Sequence, residues 1–134
     1  MNTLYTIGYQ SYSLETLAER VEVLGAVLAD IRFKAWSQRE EWRPQALTVR
    51  LGVSYWRVPQ LGNVNYQGGP IKLLNPDAVL GKMRATLKVY PIVLMCACRN
   101  YYECHREEAA EWLEERLGCE VEHLPAYTRS AAKL

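Results

Sequence analysis

Hydrophobic residues along the chain form short, nearly continuous runs, which alternate with stretches where they recur every three or four positions. The short runs are typical of buried strands and span residues 4–7, 26–31, 53–58, 92–98 and 119–124. The periodic stretches are typical of amphipathic helices and span residues 14–24, 37–52, 76–87 and 104–117. The alternation of strand and helix predicts a single α/β domain, in which a mostly parallel sheet of about five strands has helices on both faces.

Capping residues mark where these helices begin. Ser13 precedes the first helix, and Ser37-Gln-Arg-Glu40 has the form of a capping box. Pro44 interrupts the second helical stretch, either as a kink or as the first residue of a separate short helix. Asn75-Pro76 is a cap followed by a first-turn proline. The segment 59–70 has no periodicity and is rich in glycine and proline, so we predict a long surface loop that contributes to function.

Composition and charge bound the class of protein. The 134 residues are the common size of one domain, which we place over 1–134 with a frayed tail over 126–134. The formal net charge of +1 argues against a strongly electrostatic nucleic-acid binder. No apolar stretch approaches the ~20 residues that span a bilayer, and the N-terminus lacks the features of a signal peptide. We therefore expect a cytoplasmic protein without a membrane partner, whose four cysteines are core, catalytic or metal-binding residues rather than disulfides.

A run of chemically active residues joins the strand over 92–98 to the helix that follows it. Cys96 ends the apolar run, and Cys104, His105 and Arg106 lie where the helix begins. A cysteine in the first turn of a helix is close to the positive end of the helix dipole, which favours the thiolate. Such a thiolate can attack an electrophile, and the helix terminus can bind an anionic substrate. The alternative is a small buried cysteine beside an exposed histidine and arginine.

The spacing of the cysteines excludes two common kinds of thiol site. A loop of the phosphatase or rhodanese type needs an arginine five or six positions after its cysteine, and neither Cys96 nor Cys98 has one. A redox Cys-x-x-Cys motif is absent, although Cys96 and Cys98 share one face of a strand. Together with Cys104 and His105, these two cysteines offer the sulfur and nitrogen ligands that zinc prefers. Their spacing along the chain, however, differs from the two spaced pairs of structural zinc sites. The sequence therefore predicts no metal and no other cofactor.

Charged and aromatic residues at the ends of other strands are expected to lie near the cysteine-containing segment 96–106. Asp30 and Arg32 end the second strand, and Gly8 ends the first. Because the carboxyl ends of parallel strands line one crevice, we expect them to meet the cysteine loop. Asp30 would orient a histidine or hold Arg32 in place, and the alternative is an ordinary ion pair. Loop aromatics and arginines would suit a planar ring with an attached phosphate. These residues are Trp36, Trp42, Tyr55, Trp56, Tyr66, Tyr101, Tyr102, Arg39 and Arg99.

Several motifs occur in an order and at a spacing that resemble a known family. They are Thr6-Ile-Gly8, Asp30-Ile-Arg32, Ser37, Gly52-Val-Ser-Tyr55, Leu61-Gly62, the apolar strand ending in Cys96, and Cys104-His105-Arg106. Over nearly its whole length the chain resembles the domain-of-unknown-function family 488. The resemblance implies a compact α/β domain whose motifs gather at one site. The catalytic candidates are then Cys104, His105 and Asp30, and the ligand-binding candidates are Arg32, Arg106, Gly8, Ser37 and Cys96.

Some positions depart from the pattern of that family. Tyr9 and Gln10 replace a His-Ser pair, and Ala35 replaces a proline. Asn63 replaces a glycine, and Cys98 replaces an acidic residue. Two acid–base groups are therefore missing, and no acid–base role is carried over to these positions.

The sequence predicts a small enzyme that acts on a planar, anionic ligand such as a nucleotide or a nucleic-acid component. Cys104 would be its nucleophile or a polar anchor, and His105 an acid, a base or an orienting group. Arg32 and Arg106 would bind the anion, with Asp30 as the partner of one functional group. The second hypothesis is a non-catalytic module that binds a ligand, an RNA or a protein, and the third is a thiol-based metal or redox protein.

Overall fold

The described residues, 1–98 and 104–128 of a computed structural model, form strands and helices in alternation. The strands are β1 (Leu4–Gly8), β2 (Val27–Asp30), β3 (Tyr55–Arg57), β4 (Ile92–Cys96) and β5 (Val121–His123). The helices are α1 (Leu14–Leu24), α2 (Pro44–Leu51), α3 (Asp77–Leu87) and α4 (His105–Leu117). Every strand pairing is parallel, and the strand order is β3-β2-β4-β1-β5. The predicted α/β fold with a parallel sheet of about five strands is confirmed.

Two hydrophobic layers cover the two faces of the sheet. On β4, Ile92, Leu94 and Cys96 face the layer that contains α3 and α4, whereas Val93 and Met95 face the layer that contains α1 and α2. All five residues of this central strand are buried. A strand covered on both faces needs apolar residues at consecutive positions, which explains its continuous hydrophobic run.

The helix starts follow the sequence in part. Ser13 forms a capping box with Thr16, so the predicted cap of α1 is confirmed. Pro44 is the first residue of α2, the second of the two alternatives considered. The capping box predicted at Ser37 is wrong, because its hydroxyl accepts a hydrogen bond from the Arg39 N–H at 3.2 Å and only a short 3₁₀ turn, Glu40–Trp42, follows. Ser37 thus closes a local turn rather than starting a helix.

Two other boundaries differ from the prediction. Asn75 does not cap α3 with its side chain, since Pro76 occupies the capping position and the helix begins at Asp77. A 3₁₀ turn, Gly52–Ser54, takes up the first residues of the predicted third strand. Both differences are at element ends, where local hydrogen bonds compete with the regular pattern.

The C-terminal segment is anchored as far as the structure describes it. Of the predicted frayed tail 126–134, residues 126–128 are described and 129–134 lie outside the described residues. The Tyr127 N–H donates to Ser11 Oγ at 2.7 Å, and the Tyr127 ring contacts Tyr12 at a centroid distance of 5.4 Å.

Candidate functional site

The carboxyl edge of the sheet contains a crevice between β1 and β4. Gly8 and Cys96, the last residues of these strands, are register partners. The helices that follow the two strands, α1 and α4, belong to opposite layers. After β1 the chain therefore passes to one face of the sheet, and after β4 it passes to the other face. This divergence creates the ligand-binding crevices of open α/β sheets.

Three cysteines meet in this crevice. Cys96 ends β4, Cys98 follows two residues later, and Cys104 is the residue that precedes the first turn of α4. Their three Sγ atoms lie within 4.8 Å of one another, and Cys96 Sγ is 2.6 Å from Cys104 Sγ. All are free thiols, with Cys96 and Cys104 buried and Cys98 partly exposed. The strand end and the helix start thus gather soft ligands and nucleophiles at one point.

His105 adds an imidazole to the cysteine cluster. Its Nε2 lies 3.2 Å from the carbonyl oxygen of Ile31, and its Nδ1 lies 3.6 Å from Cys104 Sγ. Since a carbonyl oxygen only accepts, Nε2 carries the proton and Nδ1 presents its lone pair to the thiols. Burial lowers the pKa of His105, against the opposing effect of the Ile31 carbonyl. The ring is therefore neutral at pH 7.

The surroundings of the three cysteines shift their pKa values in different directions. Hydrogen bonds from Cys104 and Cys96 lower the pKa of Cys98 to about 3, and the charge of Arg106 acts in the same direction. Burial raises the pKa of Cys96 well above its usual range. The hydrogen bond with Cys96 lowers the pKa of Cys104, but the bond to Cys98 and burial outweigh it and raise the pKa to about 11. Of the three thiols, only Cys98 has its pKa lowered, so its surroundings favour the thiolate more than those of Cys104 do.

Arg106 lies beneath the cysteine cluster and is 1% exposed. Its Nε donates to Thr6 Oγ1 at 3.2 Å, and its Nη1 donates to Cys96 Sγ at 3.3 Å and to the carbonyl oxygen of Cys98. Gly8 leaves room for this arrangement, because a β-carbon there would overlap the Cys98 carbonyl oxygen and approach Arg106 Nη1. Arg106 and Gly8 therefore support the loop that carries the cysteines.

Asp30 and Arg32 form a buried ion pair on the other side of the crevice. Arg32 Nε donates to Asp30 Oδ1 at 2.8 Å, and its Nη2 donates to Oδ2 at 2.7 Å. The Tyr55 hydroxyl donates to Oδ2 at 2.6 Å, and Arg57 Nη1 lies 3.5 Å from Oδ1. Burial lowers the pKa of Arg32, but its hydrogen bonds to Asp30 outweigh this and raise it above its ordinary value. Asp30 thus holds Arg32 in a bidentate pair.

A cavity of about 320 Å³ opens between the ion pair and the cysteine cluster. Its wall includes four aromatic rings, two cationic side chains, the three thiols and the imidazole. These residues are Tyr9, Phe33, Trp36, Tyr66, Arg32, Lys34, Cys96, Cys98, Cys104 and His105. The segment predicted as a functional loop, 59–70, contributes Asn63 and Tyr66 to the wall. We call this cavity the carboxyl-edge pocket.

The structure brings most of the predicted site residues together. Four of them line the carboxyl-edge pocket, and three others lie directly behind its wall. The lining residues are Arg32, Cys96, Cys104 and His105, and the supporting residues are Gly8, Asp30 and Arg106. Ser37 is not part of the pocket wall; its backbone carbonyl accepts from Arg43 Nε at 2.8 Å.

Other residues of the site were not assigned to it from the sequence. Cys98 had a signal in its spacing from Cys96, which places both side chains on one strand face. Lys34 and Phe33 had no signal, because they reach the pocket through the irregular chain after β2. Three predicted ligand contacts, Arg99, Tyr101 and Tyr102, lie outside the described residues.

Comparison with known proteins assigns the chain to no family. No protein-family model, no curated protein and no solved structure matches the chain. The resemblance to the domain-of-unknown-function family 488 therefore stays a prediction from motifs. Across the residues that the structure describes, every helix is too short or too polar to cross a membrane.

Proposed function

We propose that the protein is a small enzyme that binds a planar, anionic ligand, such as a nucleotide or a nucleic-acid component, in the carboxyl-edge pocket. The composition of the pocket wall carries this proposal, because ring faces, cationic side chains and a thiol–imidazole cluster border one cavity. A volume of about 320 Å³ is at the small end of the range for ligand pockets. It suits a nucleobase or a mononucleotide better than a dinucleotide.

The aromatic residues supply flat contact surfaces for a ring. Phe33 and Tyr66 are neighbours with ring centroids 5.9 Å apart, and the Trp36 side chain is 65% exposed at the pocket. Stacking of a base on such a ring contributes about 1–3 kcal/mol. Exposed rings beside a cavity are therefore better explained by a planar ligand than by packing of the core.

The charges of the wall favour an anion. Arg32 and Lys34 are cationic, and none of the described residues that line the pocket is a carboxylate. Asp30 offsets Arg32, but Arg57 adds a second positive charge to the same carboxylate. Arg106 beside the cysteine cluster offsets a Cys98 thiolate. The pocket therefore retains positive charge at Arg32 and Lys34, where a phosphate would bind.

The reacting groups in this proposal are at the floor of the pocket. The Cys98 thiolate and the neutral His105 imidazole both border the cavity. A thiolate and a neutral imidazole are suited to nucleophilic and acid–base chemistry. Asp30 is not a reacting group in this proposal, because its carboxylate accepts hydrogen bonds from Arg32 and Tyr55. Asp30 is thus a positioning residue.

The test is equilibrium binding of the four ribonucleoside 5′-monophosphates and of the corresponding nucleosides by isothermal titration calorimetry. Nucleotides should bind more tightly than nucleosides, since only the phosphate engages the cations. Lys34→Gln should weaken nucleotide binding about tenfold through loss of a charge-assisted contact. Lys88→Gln is the matched control at the opposite edge of the sheet and should change nothing.

A separate measurement tests whether bound nucleotide reacts. The nucleotide that binds best is incubated with the protein and analysed by chromatography, with wild type compared against Cys98→Ser. Loss of product in the variant, with binding retained, supports an enzyme. Binding without any product in the wild type favours the non-catalytic module instead. Failure of every nucleotide to bind, or equal effects of Lys34→Gln and Lys88→Gln, contradicts the proposed ligand.

A further inference from the structure

We propose that Cys96, Cys98 and Cys104 bind a Zn²⁺ ion at the floor of the carboxyl-edge pocket, with His105 Nδ1 as the fourth ligand. Thiolate and imidazole are the ligands that zinc prefers. The spacing of these residues in the sequence is not that of a familiar zinc motif, so the proposal depends on their arrangement in space. Zinc would occupy the Cys98 sulfur and the His105 lone pair, so the zinc-bound state is an alternative to the nucleophilic and acid–base roles proposed above for those two residues. The proposal does not rest on any organic ligand.

The sulfur positions suit a tetrahedral site. With Zn–S bonds of about 2.3 Å, two sulfur ligands are about 3.8 Å apart. The three Sγ atoms of the cysteine cluster lie within 4.8 Å of one another, and the closest pair, Cys96 and Cys104, is at 2.6 Å. Separation of this pair by about 1 Å, through small side-chain rotations, would give the spacing that zinc requires.

The geometry of His105 suits a fourth ligand. In a tetrahedral zinc site a sulfur and an imidazole nitrogen are about 3.6 Å apart, and His105 Nδ1 is 3.6 Å from Cys104 Sγ. Metal-binding histidines commonly donate their other N–H to a backbone carbonyl or a carboxylate. His105 Nε2 has that contact with the Ile31 carbonyl oxygen at 3.2 Å, and Nδ1 is directed at Cys104. His105 is not one of the residues whose ligand atoms all lie within 4.8 Å of one another, so a small rotation of its ring would complete the site.

The charges around the cysteine cluster also balance. Zinc binding requires three thiolates, so each cysteine that is protonated in the metal-free protein releases its proton to solvent. Three thiolates and one Zn²⁺ together leave one negative charge, and Arg106 supplies a positive charge beside them. Its Nη1 donates to Cys96 Sγ at 3.3 Å and to the carbonyl oxygen of Cys98. A hydrogen bond to a ligating sulfur is a typical outer contact of a metal site.

The experiment is a titration of fully reduced, metal-free protein with Co²⁺ and then Zn²⁺ under anaerobic conditions. Tetrahedral cobalt with thiolate ligands gives a sulfur-to-metal charge-transfer band and intense visible bands. One equivalent of Co²⁺ should produce both, and one equivalent of Zn²⁺ should remove them. Cys98→Ser should weaken binding at least as much as the ~10- to 100-fold that loss of an outer contact costs. His105→Gln should weaken binding about 10- to 100-fold and shift the visible bands.

Cys119→Ser is the matched control. Cys119 is the fourth cysteine of the chain and is also buried, but it is not a member of the cysteine cluster. Its replacement should leave the cobalt spectrum and the affinity unchanged. Circular dichroism on each variant confirms that the fold survives.

A second measurement on the wild type avoids any dependence on folding of the variants. Zinc should protect Cys98, the most accessible cysteine of the cluster, from alkylation as detected by mass spectrometry, and a chelator should restore labelling. The absence of a thiolate-to-cobalt band in folded, reduced protein would overturn the proposal. So would a Cys98→Ser variant that binds cobalt as tightly as Cys119→Ser. Neither outcome bears on nucleotide binding, which is measured separately and without metal.

Discussion

The two edges of the parallel sheet differ in size and in chemistry. At the amino edge, where the strands begin, a cavity of about 630 Å³ is lined by residues from the ends of α1, α2 and α3 and from the segments that follow them. Val53 and Tyr90 belong to those segments, and Trp56 belongs to β3. The carboxyl-edge pocket is about half as large but contains the three clustered thiols and His105. The larger cavity has no thiol or imidazole among its described lining residues. Volume alone therefore does not locate the site, and the residue chemistry does.

The two edges of the sheet also differ in how many polar and charged side chains they bury. The buried polar and charged residues of the described chain are Thr6, Asp30, Arg32 and Arg106. Asp30, Arg32 and Arg106 lie at the carboxyl edge, and Thr6, in the middle of β1, accepts a hydrogen bond from Arg106. At the amino edge, Arg50 forms its ion pairs with Glu15 and Glu22 on exposed surface. Burial of a charge costs free energy unless a partner compensates it, so a fold retains such groups where they have a role. Charged groups are buried at the carboxyl edge, at a cost in free energy, whereas the ion pairs of the amino edge are exposed.

The largest expected effect comes from breaking the buried ion pair. Asp30→Asn should lower the free energy of unfolding by about 3–5 kcal/mol, because Arg32 would remain buried without its carboxylate. Glu15→Gln, the control for an exposed pair, should lower it far less, because solvent screens the charges. Urea denaturation followed by circular dichroism measures both. A loss below about 1 kcal/mol for Asp30→Asn would remove this distinction between buried and exposed pairs.

The next effect concerns the close packing of β1 against the loop after β4. Gly8→Ala should destabilise the protein by about 1–3 kcal/mol, since the new methyl group would overlap the Cys98 carbonyl oxygen. Gly81→Ala is the same substitution on α3, where nothing lies within 4 Å of the added β-carbon, and it should stabilise by about 0.5–1 kcal/mol. Opposite signs in thermal or chemical denaturation are the expected result. A neutral Gly8→Ala would mean that the Cys98 carbonyl can move away.

A smaller effect should appear in the pH dependence of stability. Thr6 Oγ1 accepts from Arg106 Nε at 3.2 Å and lies 2.6 Å from His123 Nδ1, so the hydroxyl donates to a neutral imidazole. Burial, with the charge of Arg106, lowers the pKa of His123. The unfolded chain therefore binds more protons, and stability should be complete above the unfolded pKa of about 6.5 and decline as pH falls below it.

His123→Asn isolates this contribution, because the Asn side chain can accept from Thr6 without titrating. The wild type should lose more stability than the variant between pH 7.5 and pH 5.5, a range above the titration of most carboxylates. His105, whose pKa is also lowered by burial, is present in both proteins and cancels in the comparison. Identical slopes would show that His123 keeps its ordinary pKa in the folded protein.

The smallest effect is expected at the amino edge. Val53 borders the larger cavity and is 93% exposed. Val53→Ser should change the free energy of unfolding by no more than about 0.5 kcal/mol and leave both nucleotide and zinc binding unaltered. A weaker nucleotide affinity in this variant would place the ligand at the amino edge and reverse the assignment of the two edges.

Much of the fold follows from local patterns. The runs that become β1 and β4 are apolar at nearly every position, which identifies buried strands without knowledge of their neighbours. Ser13 and Gly25 mark the limits of α1 through interactions confined to a few residues. Ser37 was misassigned because a hydroxyl that accepts from a nearby N–H can close a turn as well as cap a helix.

For the site, the sequence predicts the types of reactive group and the edge of the sheet where they lie. It does not predict which of these groups contact one another. Cys104, His105, Asp30 and Arg32 were candidates from the sequence, since the carboxyl ends of parallel strands converge wherever the strands are placed. The lowered pKa of Cys98 depends on its hydrogen bonds to Cys104 and Cys96. The lengths of these hydrogen bonds follow from strand register and from the start of α4. Residue types set what a site can do, whereas packing sets which residues interact, because free energies of hydrogen bonds and charges vary steeply with distance.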